Sequence, residues 1–151
     1  MHPKDLLLAY QRGENIGLLM REAKALQGTS EEVIETAYDL QSGSYIERIE
    51  NNPPSLESKI KYTSKIADQI CGLTSCSSLL EAGVGEATTL TFVIKALSER
   101  NLKPNAIHGF DLSWSRIACA RSFLAQHKEA QNTDLCVASL LNLPYPDSAF
   151  D

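Results

Sequence analysis

Two acidic residues and two glycines have the types and the spacing that cofactor binding needs. Glu81 ends a short apolar run, Gly83 and Gly85 follow it at once, and Asp111 ends the next such run. A glycine turn before a helix allows a ligand to approach the backbone closely, and the start of that helix offers free N–H groups. An ionised carboxylate accepts hydrogen bonds from both hydroxyls of a ribose. Together these residues indicate a ligand with a ribose and a positively charged end.

Each feature also has a plainer structural interpretation. Gly83 and Gly85 would suit a tight strand-to-helix turn without a ligand, and Asp111 would favour the start of the following helix. The three-glycine dinucleotide pattern fails, because Thr88 occupies its third glycine position. An acid just before the glycines would also repel a pyrophosphate. An NAD-dependent enzyme with a degenerate glycine loop is therefore only a third hypothesis.

The pattern of apolar residues predicts the elements that position the two acids. Three short apolar runs, SSLLEA, NAIHGFDL and DLCVAS, indicate buried strands. Helical repeats lie between them, and Ser113 is expected to cap the second helix. Alternating strands and helices at this spacing predict an α/β fold with a parallel, Rossmann-like sheet and right-handed crossovers. Ligands bind at the carboxyl ends of strands in such sheets, where Glu81 and Asp111 are expected to lie.

The chain before the sheet is predicted to be helical. Asn15 is expected to cap one helix, and the Thr29-x-x-Glu32 pattern predicts a capping box for the next. The apolar stripe of the first of these helices comprises Ile16, Leu19, Met20, Ala23 and Leu26. Two prolines then interrupt the pattern. We therefore predict an N-terminal helical lid over residues 1–54 and the cofactor-binding half of a domain over residues 55–151.

A further helix is predicted after the two prolines. Ser55 is expected to cap it, and Gly72 is expected to end it. Its predicted apolar face comprises Leu56, Ile60, Thr63, Ala67 and Ile70.

Charge and composition argue against several classes of partner. The net charge is −5 and no basic run appears, so the sequence lacks an electrostatic footprint for nucleic acid. No apolar run approaches the roughly 18 residues that cross a bilayer, and DLLLAY is too short for a signal peptide. We expect a cytoplasmic protein without a membrane partner. The four cysteines form no C-x-x-C pair, so buried free thiols are expected and a zinc site is not.

Three segments, in the right order, resemble the motifs of class I S-adenosylmethionine-dependent methyltransferases. LLEAGVGEATTL is similar to the family's first motif, acid-x-Gly-x-Gly-x-Gly, and GFDLSWSRIACAR resembles the segment that comes next in the family. LCVASLLNLPYPDSAFD resembles the third segment. The stretch AYDLQSGSYI is similar to the opening of many small-molecule members. The resemblance implies a sheet of seven strands in the order 3-2-1-4-5-7-6, of which this chain holds the first three.

The resemblance implies a role for each matched residue. Ala82, Gly83 and Gly85 would lie against the methionine part of S-adenosylmethionine. Glu81 would hold the ammonium group, directly or through water, and Asp111 would accept from both ribose hydroxyls.

The adenine ring would lie between Leu112 and Leu140, according to the same resemblance. Ser139 stands where an acid commonly accepts from the adenine amino group, and Ala87 replaces the usual third glycine. Tyr38 or Tyr45 could offer an aromatic face to the sulfonium, although helix packing explains both tyrosines as well. The sequence identifies no general base, so the catalytic residues stay unknown.

The favoured hypothesis is S-adenosylmethionine-dependent methyl transfer to a small molecule. The alternative is a non-catalytic nucleoside-binding module or assembly subunit with the same fold. The family's first strand is central in its sheet, yet in this chain it would be an uncovered edge. We therefore expect a truncated piece of a longer enzyme or self-association through that strand.

Overall fold

A computed structural model describes residues 2–27 and 31–151. The chain divides into two compact units, Met1–Ser42 and Gly43–Asp151. This boundary lies earlier in the chain than the one predicted after residue 54. Thr29, half of the predicted capping box, lies outside the described residues. The action of the N-terminal segment as a lid stays a prediction.

In the described part of the first unit, three helices surround a small apolar core. They are α1 (Pro3–Gln11), α2 (Ile16–Gln27) and α3 (Glu31–Leu40). Asn15 caps α2 as predicted, because its Oδ1 accepts a hydrogen bond from the Leu18 N–H at 3.0 Å. The buried residues of this core are Leu6, Ala9, Ile16, Val33 and Ala37.

The second unit begins with two helices, α4 (Ser44–Asn51) and α5 (Pro53–Cys71). Asn52 caps α5 through a 3.0 Å hydrogen bond from the Ser55 N–H, so the prediction of Ser55 as the cap was wrong. The two prolines explain the difference, since they fit the first turn of a helix, where their missing N–H groups need no partner. Helix α5 ends at Gly72 as predicted. Ile60 is 49% exposed, so the buried face is narrower than predicted.

The predicted α/β fold is confirmed. Strands β1 (Ser78–Ala82), β2 (Ala106–Asp111) and β3 (Asp134–Val137) form a parallel sheet in the order β1-β2-β3. Helices α6 (Thr88–Glu99) and α7 (Trp114–Leu124) connect them, and the Ser113 hydroxyl caps α7 as predicted. Helix α6 packs against α5 through Val93, Ala96 and Leu97, while its Leu90 and Ile94 enter the core beside α7.

The last residues of the chain lie near the start of β1. The Asp151 carboxylate accepts hydrogen bonds from the Ser77 hydroxyl at 2.7 Å and from the Ser78 and Ser77 N–H groups at 2.9 and 2.7 Å, and together these bonds lower its pKa to about 2. The Phe150 ring packs edge-on against His108 and Tyr145, with ring centres 5.4 and 5.0 Å apart. These contacts fix the segment after β3 to the strands that precede it.

Two further expectations concern thiols and membranes. All four cysteines are free thiols, but Cys71 is exposed and the other three are only partly buried, so the predicted burial was wrong. Among the described residues, no helix combines the length and the apolar character needed to span a bilayer. A cytoplasmic location stays a prediction.

Gly109 allows the glycine loop to pack directly on the sheet. A Cβ atom at this position would lie 2.9 Å from Val84 Cγ2 and 3.1 Å from Leu135 Cδ2. The backbone N–H of Val84 also donates to the Phe110 carbonyl at 2.8 Å. Strand β2 must therefore lack a side chain at the point where the loop crosses it.

We expect Gly109→Ala to lower the free energy of unfolding by about 1–3 kcal/mol, because the added methyl overpacks this contact. Urea denaturation measures the change. Gly17→Ala is the matched control, since the same methyl there meets its nearest atom, Asn15 Oδ1, only at 3.4 Å. An unchanged midpoint for Gly109→Ala would show that the loop does not depend on this close approach.

Candidate functional site

The loop between β1 and α6 contains three residues in the left-handed backbone conformation. Gly83 and Gly85 have φ of +70° and +55°, which glycine adopts without strain. Ala87, which stands where a third glycine is usual, has φ of +57° and is fully buried. A residue with a Cβ atom loses roughly 1–2 kcal/mol in this conformation. Replacement of that glycine therefore strains the loop.

The two glycines of the loop face different surroundings. A Cβ atom on Gly83 would meet nothing within 4 Å, so the backbone there is open to a ligand. A Cβ atom on Gly85 would lie 3.5 Å from Arg116 Nη1 and 4.0 Å from Asp111 Oδ2. The open part of the loop is therefore the part nearest β1.

The strand register places Glu81 and Asp111 on one face of the sheet. Glu81 lies opposite Gly109, and side chains alternate along a strand, so Asp111 points to the same side as Glu81. Both residues lie at the carboxyl end of their strands. The charge of Asp111 reaches Glu81 and contributes to raising its pKa. The two acids that the sequence singled out are thus neighbours.

Glu81 has an unsatisfied oxygen. Its Oε2 atom is buried and has no hydrogen-bond partner among the described residues. Burial raises the pKa of Glu81 to about 7, although the Lys59 charge and a hydrogen bond from the Leu90 backbone N–H both act to lower it. A buried acceptor without a donor costs free energy, and a bound donor would recover it.

Lys59 brings a cation to the same place. Its Nζ atom donates to Thr89 Oγ1 at 3.0 Å, and burial lowers its pKa while the attraction of Glu81 acts to raise it. Lys59 was not predicted from the sequence as a site residue. The available signal was its position one turn before Thr63, on the face of α5 that packs inward.

Asp111 is already engaged with the backbone. Its Oδ2 atom accepts from the Gly85 N–H and its Oδ1 atom accepts from the Ser113 N–H, each at 2.9 Å. The carboxylate therefore joins the glycine loop to the residue that caps α7. Each oxygen retains a second lone pair, so further hydrogen bonds from hydroxyl groups are chemically allowed.

The residues expected around an adenine ring lie beyond β2 and β3. Leu112 is half-buried directly after Asp111, and Leu140 is 64% exposed. Ser139 begins a turn in which its hydroxyl accepts from the Leu141 N–H at 3.0 Å and its carbonyl accepts from the Asn142 N–H at 3.1 Å. The Ser139 hydroxyl therefore already serves the turn.

The two tyrosines lie in different units, Tyr38 in the first and Tyr45 in the second. The guanidinium of the buried Arg116 lies 5.1 Å from the centre of the Tyr45 ring. Tyr45 thus already faces a cation that belongs to the chain. This use of Arg116 was not predicted from the sequence.

Glu86 is a further buried carboxylate, and it was not among the predicted site residues. It lies inside the glycine loop and is only 2% exposed. Its oxygens accept from the backbone N–H groups of Gly43, Tyr45 and Ile46 at 2.9, 3.0 and 2.9 Å. The loop thereby contacts the start of α4. The available sequence signal was an acidic residue inside the glycine loop to which the resemblance assigns no contact with the cofactor.

Comparison with known proteins establishes the fold. No protein-family model and no curated protein matches the sequence. The crystal structure of the cyclase SpnF is similar with a TM-score of 0.61 and 16% identity, over 82% of this chain and 47% of that chain. An uncharacterised protein from Burkholderia thailandensis has a TM-score of 0.53 and 14% identity, over 92% of this chain and 38% of that chain. The chain shares the Rossmann-like α/β fold of these structures.

Sequence identities as low as these show the fold alone. Function depends on the site that a fold carries, because one fold supports many unrelated activities. The chain spans about half the length of SpnF.

The Glu81 pKa gives a testable dependence of stability on pH. The folded-state pKa of about 7 lies above the ordinary 4.5, so Glu81 stabilises the fold fully below about pH 4.5, and this contribution is lost as the pH rises through 7. We expect the free energy of unfolding of Glu81→Gln, relative to that of the wild type, to increase by about 1–3 kcal/mol between pH 5 and pH 8. Urea denaturation at several pH values measures this gain.

Glu99→Gln is the matched control for that experiment, because Glu99 is an exposed acid at the end of α6. Its stability curve should follow the wild type. A constant difference between Glu81→Gln and the wild type across this pH range would contradict the raised pKa.

Proposed function

We propose that this chain binds S-adenosylmethionine and supplies the cofactor-binding portion of an enzyme that methylates a small molecule. The unsatisfied Oε2 atom of Glu81, beside the open backbone at Gly83, carries this proposal. The amino acid end of this cofactor presents an ammonium and a carboxylate. Glu81 and Lys59 offer one charge of each sign where that end would lie.

The nucleoside end of the cofactor would extend along the carboxyl ends of β2 and β3. Asp111 would accept from the ribose hydroxyls through its remaining lone pairs. Leu112 and the exposed Leu140 would cover the two faces of the adenine. Ser139 would contribute less than an acid at its position, because its hydroxyl already accepts from Leu141. We therefore expect modest affinity at the adenine edge.

The bound cofactor would supply an electrophilic methyl group on a sulfonium. The chain's own residues would orient it for an in-line displacement, which is catalysis by proximity and orientation. No general base is assigned. A small acceptor fits the net charge of −5 better than a nucleic acid does.

A ligand series separates this proposal from its alternatives. We expect calorimetric titration to detect S-adenosylmethionine and S-adenosylhomocysteine and to detect no binding of NAD. Lys59→Met should weaken the binding of S-adenosylhomocysteine but leave the binding of 5′-methylthioadenosine unchanged, because the latter lacks the amino acid end. Asp111→Ala should weaken the binding of both nucleosides by about 1.5–3 kcal/mol.

Asp147→Ala is the control for Asp111→Ala, since Asp147 is an exposed residue of a turn. Equal losses from Asp111→Ala and Asp147→Ala would remove Asp111 from the site. Tighter binding of NAD than of S-adenosylhomocysteine would favour the dinucleotide hypothesis. Binding without methyl transfer, by a longer protein that carries all seven strands implied by the resemblance, would favour the nucleoside-binding module.

We also propose that the chain self-associates through β1. Within the described residues, β2 is the one strand that pairs with β1, and Asp151 binds the β1 backbone only at Ser78, so the rest of its other edge is open to a strand of a second copy. Sedimentation over a range of protein concentrations tests this, with a dimer expected as the concentration rises. A monomer at every concentration would contradict it.

A further inference from the structure

Glu86 binds backbone groups that lie far from it in the sequence. Its Oε1 atom accepts from the Gly43 N–H, and its Oε2 atom accepts from the N–H groups of Tyr45 and Ile46. These N–H groups precede Glu86 by 40 to 43 positions along the chain. A charged side chain that is only 2% exposed therefore makes three hydrogen bonds to one turn of helix.

These contacts give α4 a cap that its own sequence lacks. Gly43 occupies the cap position in a left-handed conformation, and it has no side chain to accept from the first N–H groups of the helix. A carboxylate at a helix N-terminus is favourable because it meets both unpaired N–H groups and the positive end of the helix dipole. The glycine loop thus completes a helix from elsewhere in the chain.

A second contact reinforces the same junction. The Tyr45 ring of α4 stacks against the Arg116 guanidinium of α7, and Arg116 Nη1 lies beside Gly85. The first turn of α4 is consequently joined to the glycine loop by Glu86 and to α7 by Tyr45.

Helix α4 forms one wall of an open groove. The groove has a volume of about 570 Å³ between α4 and α5, and it includes Lys59, the cation near Glu81. Its α4 wall is formed by Tyr45, Arg48 and Ile49. The position of that wall relative to the loop depends on the Glu86 hydrogen bonds.

We propose that Glu86 is a positioning residue that clamps α4 to the glycine loop, so that ligand binding at the loop and the order of α4 are coupled. This inference rests on the proposed function only for the identity of the ligand. The loop cannot shift without straining the three hydrogen bonds, and α4 cannot move away without breaking them. The coupling is reciprocal, because each event changes the free energy of the other by the same amount.

The test measures amide hydrogen exchange by NMR in the full chain. Glu86→Gln should raise the exchange rates of the Gly43, Tyr45 and Ile46 amides at least tenfold, while amides in the middle of α5 stay unchanged. S-adenosylhomocysteine should slow exchange at these three amides in the wild type and not in the variant, and its affinity for the variant should fall about tenfold. Glu99→Gln, the same substitution at an exposed position on α6, should behave as the wild type does.

Two outcomes would contradict this proposal. Unchanged exchange at the three amides of a folded Glu86→Gln protein would show that Glu86 does not hold α4. Faster exchange with unchanged affinity and retained ligand protection would reduce Glu86 to a helix cap and refute the coupling.

Two further observations keep these results interpretable. Glu86→Asp keeps the charge with a shorter reach, and it should give intermediate exchange rates if Glu86→Gln fails to fold. A wild type that shows no S-adenosylhomocysteine binding would refute the proposed function, while the ligand-free exchange rates would still test the clamp.

Discussion

Buried carboxylates that accept from backbone N–H groups hold the glycine loop of this protein in place. Asp111 accepts from Gly85 inside the loop, and Glu86, itself part of the loop, accepts from the first turn of α4. The Val84 side chain of the loop also packs directly on Gly109 of β2. Charge-assisted hydrogen bonds of this kind are stronger than neutral ones, and their loss would leave a buried charge. The hydrogen bonds of these two carboxylates therefore hold the loop, α4 and the start of α7 together.

The elements that depend on local sequence pattern could be predicted. The three strands, the intervening helices and the end of α5 at Gly72 follow from apolar periodicity and from turn residues. The position of Glu81 and Asp111 at the carboxyl ends of neighbouring strands also follows, because parallel pairing aligns those ends, whereas their common face depends on the strand register. The strands, the helices and the end of α5 are determined by residues within one or two turns of each other.

The parts of the site that depend on distant pairs could not be predicted in the same way. The Glu86 contact with Gly43 and the Lys59 contact with Thr89 join residues that no periodicity relates. The cap at Asn52 was missed for a local reason, since the prolines at 53 and 54 move the cap upstream of Ser55. The strain at Ala87 was missed because a missing glycine does not reveal the backbone angle of its replacement.

The two acids of the site differ in how much of their hydrogen-bonding capacity the protein itself uses. Asp111 accepts two backbone hydrogen bonds before any ligand binds, whereas Glu81 keeps one buried oxygen without a donor among the described residues. A donor that reaches Glu81 relieves a desolvation cost, while a hydroxyl that reaches Asp111 only adds to bonds already made. If the chain binds the cofactor proposed above, the binding free energy should therefore come more from the amino acid end than from the ribose. This asymmetry suits a site in which Asp111 is needed for the structure of the loop, while Glu81 is available to the proposed ligand.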